Sequence, residues 1–117
     1  MDTVERFLAA MVGHDWAGMG TCVTDDVRRV GPFGDVYEGK GDYVGFISGL
    51  LPSLPGYRMD VERVTYVEGQ RLAFAELAET VTMDGEARRT PEALVFGLSS
   101  DGLIRSIDIY IQTHPTS

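Results

Sequence analysis

The chain has 117 residues, a net charge of −8 and a hydrophobic fraction of 44%. This length predicts a single domain over residues 1–117, because two separate hydrophobic cores need a longer chain. The negative charge argues against nucleic acid and anionic membranes as partners, since both are bound through lysines and arginines that neutralise phosphates.

Helical periodicity dominates the first part of the chain. Apolar residues recur three and four positions apart, and aspartates stand where helix N-caps are expected. Two short strands are predicted between the second and third helices, at 27–30 and 36–38. The three predicted helices run from Asp2 to Gly13, from Asp15 to Cys22 and from Asp42 to Pro52.

From Tyr57 onward the apolar residues alternate with polar ones, which is typical of strands. Three turns that contain glycine divide this half, and they predict a four-stranded antiparallel meander. Strands of this length twist and bend, so we expect a curved sheet with the helices on its concave face. The predicted strands are at about 57–67, 71–83, 86–99 and 103–112.

Five short motifs follow one another over nearly the whole chain. They are Val4–Ala10, Gly13–Trp16, Thr24–Val27, Tyr37–Gly39 and Asp101–Asp108. In this order and spacing they resemble the nuclear transport factor 2-like superfamily, in its SnoaL-like and limonene epoxide hydrolase-like branch. The resemblance implies an α+β cone, in which three N-terminal helices pack on the concave face of a curved antiparallel sheet around a pocket. This scaffold hosts isomerases, hydrolases, cyclases and binding modules, so it does not by itself select an activity.

Ketosteroid isomerase-like proton transfer is disfavoured by the residues at its motif positions. The resemblance puts the tyrosine position on Phe7, the base on Val30 or Gly31, and the second acid on Leu94. These groups neither ionise nor donate a hydrogen bond from a side chain. We therefore predict no turnover of a 5-ene-3-ketosteroid above the background rate, measured by the absorbance of the conjugated product. Measurable isomerisation would contradict this alignment.

Two other chemistries of the branch find partial matches. Limonene epoxide hydrolase-like chemistry uses two acids with an arginine between them. The resemblance puts the acids on Glu79 and Asp108 but the arginine on Leu77, which departs from the pattern. SnoaL-like cyclases carry an acid/base aspartate on the last strand, and Asp108 resembles it.

Glu79 is the one charged residue in an apolar row of its predicted strand. A carboxylate on such a face must be desolvated, paired with a cation or lining a cavity. Pairing across the Asp84-Gly85 turn brings either Arg88 or Arg89 onto the same face. The sequence leaves open whether this is a structural ion pair or part of a pocket.

The facing of Asp108 depends on the hairpin before it. A three-residue loop, Ser100–Gly102, puts Asp108 on the face of Glu92 and Leu94, whereas a two-residue loop puts it on the other face. The Ser-Asp-Gly sequence favours the longer loop. We therefore predict that Asp108 points into the cone.

These observations predict a small-molecule enzyme that acts by acid/base chemistry on an apolar oxygenated substrate, such as a polyketide, terpenoid or epoxide. Asp108 and Glu79 are the predicted catalytic residues. The alternative is a non-catalytic ligand-binding or dimerisation module of the same fold. Predicted substrate contacts are Arg88, Glu92, Leu77, Leu94, Trp16 and Tyr37.

Assembly and location are also expected from the sequence. Apolar residues on both faces of the strands predict a homodimer that forms through the sheet. A single cysteine, Cys22, and no Cys/His cluster with zinc spacing predict a reducing compartment and no metal or cofactor. The acidic start, Met1–Glu5, and the lack of an apolar run of ~20 residues predict a cytoplasmic protein.

Overall fold

The computed structural model describes residues 2–113, which form three α-helices and six β-strands. The helices are α1 (Thr3–Val12), α2 (Trp16–Thr21) and α3 (Lys40–Leu50), and α3 continues into a 3-10 turn (Leu51–Ser53). The strands are β1 (Val23–Val30), β2 (Val36–Glu38), β3 (Arg58–Val67), β4 (Leu72–Met83), β5 (Glu86–Leu98) and β6 (Ile104–Ile111). No helix in this range is long and apolar enough to cross a bilayer.

All six strands belong to one curved, unclosed sheet in the order β2-β1-β6-β5-β4-β3. The predicted α+β fold is confirmed. The sheet differs from the prediction in one respect, since β1 pairs with β6 in parallel while every other neighbour is antiparallel. The parallel pair arises because the last strand of the meander returns alongside β1.

The meander follows the predicted bounds to within one residue at each strand end. Its central turn is a two-residue hairpin in which Met83 lies opposite Glu86. Asp84 and Gly85 both have positive φ angles, 54° and 79°. This is the turn type that an Asp-Gly pair favours, because its twist matches that of the flanking strands.

The helices begin close to the predicted positions. The Asp15 carboxylate accepts a hydrogen bond of 2.9 Å from the Gly18 N–H, as expected of an N-cap. α3 begins at Lys40, before the predicted Asp42. Gly39 is its N-cap residue and has a φ of 92°. β1 is longer than predicted, since an irregular, exposed Asp25-Asp26 stretch is absorbed into the strand.

The core lies between the helices and the concave face of the sheet. The Phe7 ring of α1 packs edge-on against Phe96 of β5, with 6.0 Å between centroids, and lies 6.4 Å from the ring of Tyr43 in α3. Phe7 and Phe96 are fully buried. Leu77 and Leu94 belong to this core and also line a cavity beside it. The candidate site therefore borders the core directly.

Candidate active site

A cavity of about 330 Å³ lies inside the cone, between the concave face of the sheet, the end of α3 and the loop that follows β1. Most of its wall is aliphatic. A few polar side chains interrupt that wall, as is usual where a ligand is oriented in an apolar pocket. They are Arg29, Tyr43, Tyr57, Glu79, Thr90 and Glu92.

Glu79 reaches the cavity from β4, on the strand face where the alternation predicted it. The Tyr57 hydroxyl, at the start of β3, donates a hydrogen bond to Glu79 Oε2. Burial, and next the negative charge of Glu79, raise the pKa of Tyr57. The phenol therefore stays protonated and acts as a hydrogen-bond donor to the carboxylate.

Glu92 reaches the same cavity from β5. Glu79 pairs with Thr90 across the two strands, so Glu92 lies one same-face position further along and next to Glu79. Burial, followed by the hydrogen bond to Glu79 and its negative charge, raises the pKa of Glu92 to about 9. Glu92 is therefore protonated at neutral pH, and the two carboxyl groups form a hydrogen-bonded pair with one acid member.

Arg29 brings a positive charge to the cavity from β1. It lies opposite Ile107 of β6 and is only 7% exposed. Its Nη1 donates a 2.6 Å hydrogen bond to Asp35 Oδ2, and its guanidinium carbon lies 5.1 Å from the centroid of the Phe46 ring. Burial opposes ionisation of Asp35, but the hydrogen bond and charge of Arg29 lower its pKa overall.

The sequence of this chain matches a known protein family. A family model described as a SnoaL-like domain matches residues 4–107. The chain belongs to the SnoaL-like family. The resemblance to the nuclear transport factor 2-like superfamily is thereby confirmed. No relative is found among the curated proteins.

Solved structures share the fold of this SnoaL-like domain at low sequence identity. A cystatin-like protein of unknown function from Methylobium petroleophilum PM1 has a TM-score of 0.83 at 15% identity, covering 97% of this chain and 76% of its own. A protein with a ketosteroid isomerase-like fold from Catenulispora acidiphila DSM 44928, in complex with trimethylamine, has a TM-score of 0.78 at 16% identity and coverages of 92% and 83%. An LEH-like epoxide hydrolase from M. tuberculosis has a TM-score of 0.78 at 16% identity and coverages of 94% and 80%.

Asp108 does not lie in the cavity of this SnoaL-like domain. It pairs with Val95, whereas Glu92 and Leu94 pair with Ile111 and Ile109. The predicted facing of Asp108 is therefore wrong. Isoleucines of β6 occupy the concave positions that the prediction gave to this aspartate.

A β-bulge explains this difference. The predicted three-residue loop is present: the Ser99 N–H donates to the Leu103 carbonyl at 2.7 Å, and Gly102 has a φ of 80°. The register then slips by one residue, because Gly97 lies opposite Ser106 and Arg105 is left over. The Ser106 hydroxyl lies in the space that a Cβ at Gly97 would occupy, so the two strands approach closely at the bulge. A slip of one residue moves every later side chain of the strand to the other face.

Of the two possibilities that the sequence left open for Glu79, the ion pair with an arginine is not formed within residues 2–113. Arg88 lies opposite Val81 and thus shares the face of Glu79, while Arg89 lies opposite Thr80 on the other face. Both arginines are exposed, and neither forms an ion pair within residues 2–113. They stand near the Asp84-Gly85 end of the hairpin, beyond the cavity wall.

The other predicted substrate contacts divide into two groups. Leu77, Leu94 and Glu92 line the cavity. Trp16 does not line it, and its ring stacks on His14 with 5.1 Å between centroids. Tyr37 is also absent from the cavity wall, and it stacks on Phe46 at 4.0 Å.

Four polar residues of the cavity wall were not among the predicted site residues, namely Arg29, Tyr43, Tyr57 and Thr90. Arg29 follows the buried Val27 by two residues, so alternation along β1 could have placed it on the concave face. Tyr57 immediately precedes β3, and no local pattern distinguished it from the other tyrosines. Among residues 2–113, no cluster of His, Cys, Asp and Glu has the arrangement of a metal site.

Proposed function

We propose that this SnoaL-like domain is a small-molecule enzyme that performs acid/base chemistry on an apolar oxygenated substrate inside the cone. The observation that supports the proposal is that Glu79 and Glu92 neighbour each other across β4 and β5 in one mostly aliphatic cavity. Two carboxyl groups with unlike surroundings can supply both an acid and a base near neutral pH. Glu79 therefore takes the predicted catalytic role, with Glu92 in place of Asp108.

The two carboxyl groups have different roles in this proposal. Glu79 is the base, and the Tyr57 hydroxyl fixes its orientation. Glu92 is the acid, because it is protonated at neutral pH. With an epoxide, Glu79 would take a proton from water while the water oxygen attacks carbon. Glu92 would protonate the departing oxygen, and a proton passing from Glu79 to Glu92 would restore the starting state.

The missing arginine of the epoxide hydrolase pattern bears on this proposal. Leu77, at that position, lines the cavity with an aliphatic side chain. Arg29 offers a cation from β1, on another wall of the same cavity. The M. tuberculosis protein of the same fold is named an epoxide hydrolase, so hydrolase chemistry belongs with cyclase and isomerase chemistry among the reactions to test.

The proposal is tested with a panel of apolar epoxides, hydroxyketones and polyketide-type 1,3-diketones. Product formation is followed by chiral gas chromatography across a range of pH. We expect turnover of at least one substrate class with a bell-shaped pH dependence, because one acid and one base must both be in the correct state. Binding of several panel members with no turnover of any would contradict the enzyme proposal and support a binding module.

We also propose that two copies associate through the convex face of the sheet. This face carries Phe74, Ala93 and Val95 beside the charged Glu76 and Asp108, and its Tyr110 side chain is 61% exposed. Its apolar side chains would be covered in an assembly, and closed two-fold dimers are the commonest assemblies.

The expected result is a dimeric mass at micromolar concentration in sedimentation equilibrium. Tyr110→Glu should shift the protein toward the monomer, because it puts a charge in place of an exposed aromatic ring of the proposed interface. Val12→Glu, at an exposed site on α1, is the matched control and should leave the mass unchanged. A monomeric mass for the unaltered protein would contradict the proposed dimer.

A further inference from the structure

Arg29 has a hydrogen-bond donor that the described chain does not use. Its Nε is fully buried and has no acceptor within residues 2–113. A buried donor without an acceptor destabilises the fold, so such groups need an explanation. Arg29 also lines the cavity, so a ligand bound in the cavity could supply the missing acceptor.

The guanidinium of Arg29 is held in a fixed orientation. Asp35 accepts from Nη1, and the rings of Phe46 and Tyr37 lie 5.1 and 5.9 Å from its central carbon. An arginine that is held in this way loses little further entropy when a second acceptor binds. The Asp35 side chain is 42% exposed, so solvent weakens its neutralising effect on the buried cation.

The rest of the cavity restricts what such an acceptor can belong to. The Thr90 hydroxyl is a further donor on its wall, and most of the remaining wall is aliphatic. A ligand that fits these features has an apolar body and one oxygen-rich anionic group. A planar carboxylate can accept two parallel hydrogen bonds from the donor fork of arginine, and it is the smallest such group that an apolar body can carry.

We propose that Arg29 binds the carboxylate of a small apolar carboxylic acid, and that this acid is the substrate class of the site. That the acid is a substrate rests on the proposed function, whereas its binding to Arg29 does not depend on turnover. It makes Arg29 a specificity-determining residue, while Glu79 and Glu92 remain the reacting groups.

The test compares two pairs of ligands that differ in one group: benzoate with benzyl alcohol, and cyclohexanecarboxylate with cyclohexylmethanol. Dissociation constants are measured by isothermal titration calorimetry on the full chain. We expect each acid to bind at least ten times more tightly than its alcohol. In Arg29→Met that preference should vanish, while the alcohols bind within about twofold of their original affinity.

Two further variants keep the test decisive if Arg29→Met does not fold. Asp35→Asn removes the competing carboxylate and leaves Arg29 in place, so acid binding should tighten severalfold. Arg29→Lys keeps the charge without the fork and should retain only part of the preference. Equal affinity for acid and alcohol in the unaltered protein, or an acid preference that survives Arg29→Met, would overturn the inference.

The outcomes also separate this inference from the proposed function. Turnover of neutral panel substrates without any acid preference would overturn the role of Arg29 and leave the acid/base enzyme standing. Tight acid binding that depends on Arg29, with no turnover of any panel member or acid, would do the reverse.

Discussion

Glu92→Gln is expected to remove most of the dependence of folding stability on pH between about pH 6 and pH 9. In the folded protein, burial and the neighbouring Glu79 raise the pKa of Glu92 from 4.5 to about 9. The folded chain therefore holds close to one more proton than the unfolded chain from pH 6 to about pH 8, and about half a proton more at pH 9. The stabilisation is complete below the unfolded pKa and is lost as the pH rises through the folded pKa.

The size of the effect is limited by solvent. A shift of one pKa unit corresponds to at most about 1.4 kcal/mol, and partial exposure of Glu92 reduces this value. We expect the free energy of unfolding of the unaltered protein to fall by about 1–2 kcal/mol from pH 6 to pH 9. The glutamine amide can donate to Glu79 as the protonated acid does, so the variant should match the original stability near pH 6.

Urea unfolding at several pH values measures this difference. Glu86→Gln is the matched control, since Glu86 lies exposed on the same strand and its variant should follow the original pH profile. Parallel profiles for Glu92→Gln and the unaltered protein would show that Glu92 is not protonated in the folded state.

The strand pattern was predictable because each turn carries its own local signal. Asp84-Gly85 specifies a two-residue hairpin, and the alternation on β4 then puts Glu79 on the buried face. Both inferences need only neighbouring residues and the period of a strand. The position of Glu79 on the cavity wall follows from these two inferences.

The rest of the site was not predictable, because it depends on long-range packing. The bulge at Arg105 leaves the loop sequence unchanged and reverses the facing of Asp108. The cation comes from Arg29 on β1, which reaches β6 through a parallel pairing far apart in sequence. Arg88 is close to Glu79 in register, yet near the Asp84-Gly85 turn its side chain stays in solvent.

Glu79→Gln is expected to lower kcat by about 10²–10⁴-fold on whichever panel substrate is turned over, because it removes the general base. The amide keeps the shape of the side chain and can still accept a hydrogen bond from Tyr57. No arginine is paired with Glu79 within residues 2–113, so the change does not strand a buried cation. The fold should therefore persist, as measured by circular dichroism and the thermal midpoint.

Asp108→Asn is the matched control, because it makes the same acid-to-amide change on the opposite face of the sheet. Asp108 lies beside Val95 and is separated from the cavity by the sheet itself, so kcat should stay within about twofold of the original. A large loss of turnover in Asp108→Asn, together with an active Glu79→Gln, would contradict the proposed pair. That result would mean that β6 pairs without the bulge in solution, since only an unslipped register turns Asp108 toward Leu94 and into the cone.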